Sequence, residues 1–181
     1  MDDQAARGLV ERSHRVVSPF VKVREVLRVL PVLAVTGAAV AGMPTANADN
    51  KRLNDGVVAN VYSIQHQRGC TNNVTISPQL QLAAEWHAND VLNNRALDGD
   101  LGSDGSTPQS RANAAGFTGI VSQTVAINPA LAINGVEIMN QWYYRPDYMA
   151  IMSNCANTQI GVWSENSLDR SVVVAVYGQP G

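Results

Sequence analysis

Cysteine and histidine are scarce in this chain, with two and three copies respectively in 181 residues. Two cysteines exclude a disulfide-dense mini-protein and any multi-cysteine zinc module. The sequence has no H-E-x-x-H, no C-x-x-C, no G-x-S-x-G and no glycine-rich phosphate loop. That removes the motif-borne readings of zinc protease, thiol oxidoreductase, serine hydrolase and nucleotide binder. There is no basic excess either. The formal net charge of −2 gives a phosphate backbone nothing to pair with, so no nucleic-acid partner is expected. No apolar run reaches the roughly 20 residues that a membrane span needs. Yet 45% of the residues are hydrophobic, too many for a disordered chain. One ordinary globular domain fits the length.

What is present falls into two unlike pieces. Arg7, Arg12, Arg15, Lys22, Arg24 and Arg28 precede an apolar run, Val29 to Met43, interrupted by Pro31 and Gly37. Ala46-Asn47-Ala48 follows, with small residues where a signal peptidase requires them. Charge, apolar core and cleavage box in that order predict a signal peptide over 1–48, cut after Ala48, and one domain over 49–181. A retained N-terminal anchor is the alternative. No Arg-Arg pair supports a twin-arginine route, and no cysteine after the apolar run supports a lipid anchor. The expected product is secreted, extracellular or associated with the cell wall, with no stable membrane span after cleavage. It is also more acidic than the whole chain, with seven Lys/Arg against eleven Asp/Glu.

Within 49–181, Leu53, Val57, Val61 and Ile64 recur at helical spacing and Gly69 follows as a stop. The spacing predicts a helix over about 51–68. Ser77-Pro78 places a capping residue before a proline at the first helical position. Leu80, Ala84, His87 and Val91 form the apolar stripe of the helix behind it. Thr107-Pro108 repeats the signal for a short helix ending at Gly116, and Asn128-Pro129 predicts a fourth helix through Ile133, Ile138 and Trp142. β-branched runs over 120–127, 158–164 and 171–177 read as strands, the last two joined as a hairpin through 165–170. Helices first and a hairpin last argue for an α+β fold with an antiparallel sheet.

Cys70 and Cys155, 85 residues apart, read as a disulfide in a secreted chain. Two buried free thiols are the alternative. His66 lies on the flank of the first helix and reads as solvated surface. His87 lies on the apolar stripe beside Trp86 and reads as a hydrogen-bonded core histidine ahead of a ligand contact. A Ser-His-Asp triad through His87 lacks any motif to select its serine. Asp98, Asp100 and Asp104 lie in L-D-G-D-L-G-S-D-G-S-T-P. Their spacing does not match an EF-hand calcium loop, and turn chemistry explains Asp and Gly there. Asn140 to Tyr148 reads N-Q-W-Y-Y-R-P-D-Y. Tyr143, Tyr144 and Tyr148 in that run suit a cleft or partner surface as well as a packed helix end.

The order of several segments resembles a known family. They are A-A-E-W-H-A-N-D-V-L-N-N-R, G-S-D-G-S-T-P-Q-S-R-A-N-A-A-G-F, V-S-Q-T-V-A-I, W-Y-Y-R-P-D-Y-M-A-I-M, I-G-V-W and V-V-V-A-V-Y-G-Q-P. Together they look like a bacterial CAP (SCP) domain, of the superfamily of cysteine-rich secretory proteins, insect venom antigens and plant pathogenesis-related proteins. The leader and cysteine spacing are most similar to small secreted mycobacterial members. The resemblance implies a three-layer α-β-α sandwich around a mainly antiparallel sheet. It also implies a central cleft where many members keep two histidines and two acids. The matching positions here are Asp100, Asp104, Gln123 and Tyr148, so neither histidine is present and no metal or other cofactor is expected. The expectation is a non-catalytic protein that binds a lipid or sterol, an envelope component or a host protein. Its cleft is expected around Asp100, Asp104, Gln123 and Tyr148, edged by Tyr143 and Tyr144. The alternative is a metal-independent hydrolase of peptide or envelope polymer using Asp100 and Asp104.

Overall fold

The computed structural model describes residues 45–181, with side chains from Asn50 onward. The predicted leader therefore lies outside the described residues except for its last four, which form the first turn of helix α1, Thr45–Gln67. Val57 and Val61 on that helix are fully buried, and His66 sits on its exposed flank, stacked on Tyr62. Gly69, at φ 91°, ends the helix, and the Cys70 N–H donates back to the Gln65 carbonyl. Positive φ is a conformation that glycine adopts at no steric cost.

Helix α2, Pro78–Asn93, begins as the sequence predicts. The Ser77 hydroxyl accepts from the Leu80 N–H, and Leu80, Ala83, Ala84, His87, Ala88 and Val91 are buried. Helix α3, Pro108–Ala114, has a reciprocal cap between Thr107 and Ser110. Two expectations need correction. Helix α4, Gly135–Tyr143, is capped by Asn134 and not by Asn128. Asn128 instead completes strand β2, Gly119–Asn128, where it pairs with Ser171. Ladder pairing continues to the end of that strand and overrides the local Asn-Pro signal, and the Asn128 amide then ties the following loop by donating to the Ala132 carbonyl. Helix α5, Pro146–Met152, was not predicted. Its N-cap is Arg145, which makes no side-chain capping bond, so only Pro146 and Asp147 mark its start.

The sheet runs β1-β3-β4-β2. Here β1 is Thr75–Ile76, β3 is Gln159–Ser167 and β4 is Arg170–Pro180. Only β1 pairs in parallel. The hairpin turn is Leu168-Asp169, tighter than the predicted loop. β4 is central, and Val172 through Tyr177 have no exposed surface. Val173, Ala175 and Tyr177 join α1, α4 and α5 in one apolar layer, while Val172, Val174 and Val176 join α2 and α3 in the other. Burial on both faces explains why the β4 sequence is apolar without alternation. The result is a three-layer α-β-α sandwich, five helices and four strands among the described residues. Gly161 sets the contact between layers. A Cβ there would collide with the backbone of Leu80 and Gln81, so only glycine lets α2 pack on β3. Cys70 and Cys155 are disulfide-bonded with a Cα–Cα distance of 5.3 Å, tying the end of α1 to the start of β3. None of the described helices is long and apolar enough to cross a membrane.

Candidate functional site

The loop 98–106 crosses from α2 to α3 and is fastened at several points. His87 Nε2 donates to the Gly99 carbonyl at 2.8 Å. Asp90 accepts from both the backbone N–H and the hydroxyl of Ser103, each at 2.7 Å. The Asp104 carboxylate accepts from the Ser106 N–H at 2.8 Å, closing a local turn. Arg111, only 6% exposed, reaches under the loop from α3. Its guanidinium donates to the Ser106 carbonyl (2.8 Å), Ser106 Oγ (3.1 Å), the Asp100 carbonyl (2.8 Å) and Gln123 Oε1 (3.1 Å). Gln123 Nε2 in turn donates to Asp100 Oδ1 at 3.1 Å. The loop is thus bound to β2 through one arginine and one glutamine.

These bonds shift the titrating groups in consistent directions. Burial pushes the His87 imidazole down, Arg111 adds to that, and Gly99, Asp90 and Asp100 only partly oppose it. Burial likewise lowers Arg111, against the pull of Asp100, Asp104 and Asp90. The bonds from Ser106 hold the Asp104 carboxyl below its usual range. Tyr148 is 5% exposed, lies beneath the Arg145 guanidinium (3.6 Å to the ring centroid), and accepts from the Val125 N–H at 3.4 Å. Burial pushes its phenol up, Val125 and Arg145 resist, and Asp100 and Asp147 add to the rise. Behind it, the buried Tyr177 hydroxyl meets Thr124 Oγ1 at 3.1 Å.

The structure therefore gathers Asp100, Gln123 and Tyr148 in one neighbourhood, with Asp104 linked through Ser106 and Arg111. Tyr143 and Tyr144 stand apart. They are 50% and 79% exposed, meet each other edge-on at 5.5 Å, and make no hydrogen bond with the rest. Arg111 is the residue that sequence reasoning passed over. Its signals in the sequence are its place on the short helix opened by the Thr107-Pro108 cap and in the G-S-D-G-S-T-P-Q-S-R segment.

The donor set does not fit a divalent metal. Asp100 accepts from an amide, the Gln123 oxygen is occupied by a guanidinium, and the phenol of Tyr148 is driven towards its neutral form. A buried cation already stands among them, where imidazole and free carboxylate would be needed. Among the described residues no three His, Cys, Asp or Glu side chains converge.

Two cavities among the described residues open elsewhere, and none of the six candidates lines either of them. The first, about 660 Å³, lies between α1, the loop 131–135 and the β3–β4 hairpin. Leu53, Leu131, Ala132 and Ile133 contribute to a wall that is mainly carbon. The second, about 540 Å³, lies between α1, the start of α2 and the outer edge of β3. Both are of the size that ordinarily holds a small ligand.

The family model for the cysteine-rich secretory protein family (CAP) matches residues 46–177. No curated protein matches the chain in sequence. Among solved structures it is similar to an outer surface protein of Borrelia burgdorferi. That match has TM-score 0.63 and 17% identity, over 74% of this chain and 96% of that one. It is also similar to an extracellular protein of Bacillus anthracis with an SCP domain, with TM-score 0.57 and 13% identity, over 76% of this chain and 45% of that one. A third likeness is NaASP2, solved with Zn2+, with TM-score 0.52 and 10% identity, over 72% of this chain and 81% of that one. Identities this low speak for a shared fold and no further.

Proposed function

The chain belongs to the cysteine-rich secretory protein (CAP) family, and from that membership we propose that it is an extracellular, non-catalytic protein that binds a lipid. The family, the disulfide and the outer-surface and extracellular names of two structural relatives support an oxidising location. Removal of 1–48 after Ala48 belongs to the same reading. The observation that carries lipid binding is the carbon-walled cavity beside Leu53 and Leu131. An apolar pocket rimmed by a few polar groups suits an acyl or sterol body.

The Asp100 neighbourhood supports a different role. Its polar groups are bonded to one another, so they serve to hold the loop 98–106 against β2. The hydrolase alternative draws no support from it. A general acid needs a carboxyl raised towards neutrality, whereas Asp104 is lowered and exposed. Titration of the purified protein with a fluorescent fatty acid and a fluorescent sterol tests the reading. Saturable binding is expected for at least one probe, weakened by Leu131→Asp and unchanged by Asp100→Asn. Leu131 is 53% exposed, so its substitution should leave the fold intact. Absence of saturable binding by both probes would overturn the reading. Binding lost in Asp100→Asn and kept in Leu131→Asp would return the ligand to the loop.

A further inference from the structure

We propose that the lipid carries a neutral sugar headgroup, which occupies the second cavity while the acyl portion lies in the first. This rests on the lipid reading above and narrows it to a glycolipid. The cavities adjoin, sharing the side chains of Asn50, Ser164 and Glu165. At their junction the Asn50 amide donates to the Ser164 carbonyl (3.2 Å) and to Asn166 Oδ1 (3.4 Å). An amphiphile seated there would have its apolar part on the Leu53 side and its polar part on the Trp163 side.

The second cavity exists because β1 stops after two residues. The last backbone bond on that side of β3 runs from the Ser77 N–H to the Ile160 carbonyl at 2.9 Å. Beyond it the outer edge of β3 has no partner strand among the described residues. α1 and the start of α2 wall the gap. Two buried polar atoms at its lining have no hydrogen-bond partner among the described residues, Asn54 Oδ1 and Ser164 Oγ. Asn54 is 9% exposed and Ser164 4%. Buried polar atoms are nearly always satisfied in a folded protein. One acceptor and one hydroxyl left unpaired just beneath the wall of the same cavity fit a ligand that both donates and accepts hydrogen bonds, reached by a small side-chain rotation.

The remaining lining identifies its class. Trp163 presents a flat apolar ring, held in orientation by the bond from its Nε1 to Glu165 Oε1 at 2.8 Å. Gln81 adds an amide, and Lys51, the one cation lining this cavity among the described residues, is bonded to Asp55 at 2.6 Å. A phosphate or sulfate in this cavity would therefore meet two carboxylates and, among the described residues, no free cation. A pyranose has what this wall requires: one face of C–H groups for the indole, and hydroxyls that donate and accept around its edge.

The test compares octyl glucoside, below its micellar concentration, with octanol and with glucose, each titrated into the full protein by calorimetry. Octyl glucoside should bind at least about tenfold more tightly than octanol, as expected when two weak sites are engaged by one linked ligand. Trp163→Ala should erase that gain and leave octanol binding unchanged. Asn54→Leu removes an unpartnered buried polar group, so the fold should be kept while the gain is lost. Equal affinity for octyl glucoside and octanol would overturn the glycolipid inference and leave the lipid reading standing. So would a gain that survives both substitutions. If octanol and octyl glucoside both fail to bind, the lipid reading falls first.

Discussion

Replacing Arg111 by methionine should destabilise the domain by about 3 kcal/mol. The side chain makes four hydrogen bonds, to Ser106, Asp100 and Gln123. Two of those three residues lie on a loop that water can reach, so their freed oxygens recover hydration. Gln123 Oε1 does not, because Gln123 is 2% exposed. An acceptor stranded in that way costs about 1–3 kcal/mol, and bonds to a charged donor contribute about 1.5–3 kcal/mol. Relief of the guanidinium's own desolvation, visible in its lowered pKa, returns part of this. For a domain of this size about 3 kcal/mol lowers Tm by roughly 10 °C. Denaturant unfolding at pH 7 with calorimetry measures both quantities. Hydrogen exchange should quicken first at Gly99–Ser106, before the core strands. Arg111→Lys should lose nearly as much as methionine, because one ammonium cannot reproduce the planar fork. A loss below about 1 kcal/mol for methionine, or a neutral Arg111→Lys, would refute the account of this arginine as the fastener of the loop; both thresholds follow from the hydrogen-bond energies used above.

His87 makes stability pH-dependent. Its folded pKa is lowered by burial, so its contribution is complete above its unfolded value near 6.5 and is lost as pH falls from there towards the folded value. The decline, at most about 1.4 kcal/mol per pH unit, should vanish from the pH 7-to-5 stability curve of His87→Gln, and an unchanged slope would assign it elsewhere. Asp90 acts at lower pH. Its burial favours the neutral form, but the bonds from Ser103 and Asn94 outweigh that and lower its pKa. Its stabilisation is present above about 3.8 and is lost as pH falls through the folded value, and Asp90→Asn should flatten that acid limb in urea titrations. Substituting both Cys70 and Cys155 by serine should cost about 4–5 kcal/mol by loop-closure entropy across 85 residues, read as a drop in denaturation midpoint. Gly161→Ala should cost at least about 1 kcal/mol, and as much as about 3 kcal/mol, because the new methyl would meet the backbone of Leu80 and Gln81. A thermal shift of less than about 3 °C would contradict it.

Local signals located most elements because their physics is local. Ser77-Pro78 and Thr107-Pro108 satisfy helix N–H groups within one turn, so the residues that start those helices are adjacent in sequence. The same reasoning failed at Asn128-Pro129, where pairing of Asn128 with Ser171, distant along the chain, decided the outcome. Helix α5 was missed because Arg145 supplies no capping oxygen. At the candidate site, the family pattern named Asp100, Gln123 and Tyr148, and the structure places them near one another. Their mutual engagement was not legible in the sequence, since Arg111 acts across 11 and 12 residues of chain.

The α+β class and the cysteine pair could be read from the sequence alone. These depend on residue identity, on periodicity and on spacing along one chain. Where a ligand has room follows from the packing. Both cavities arise from where elements stop, β1 after Ile76 and β2 before the loop 131–135, and from how α1 lies across the resulting gaps. Empty space belongs to no residue. It is set by the packing of segments far apart in sequence, and no local pattern records it.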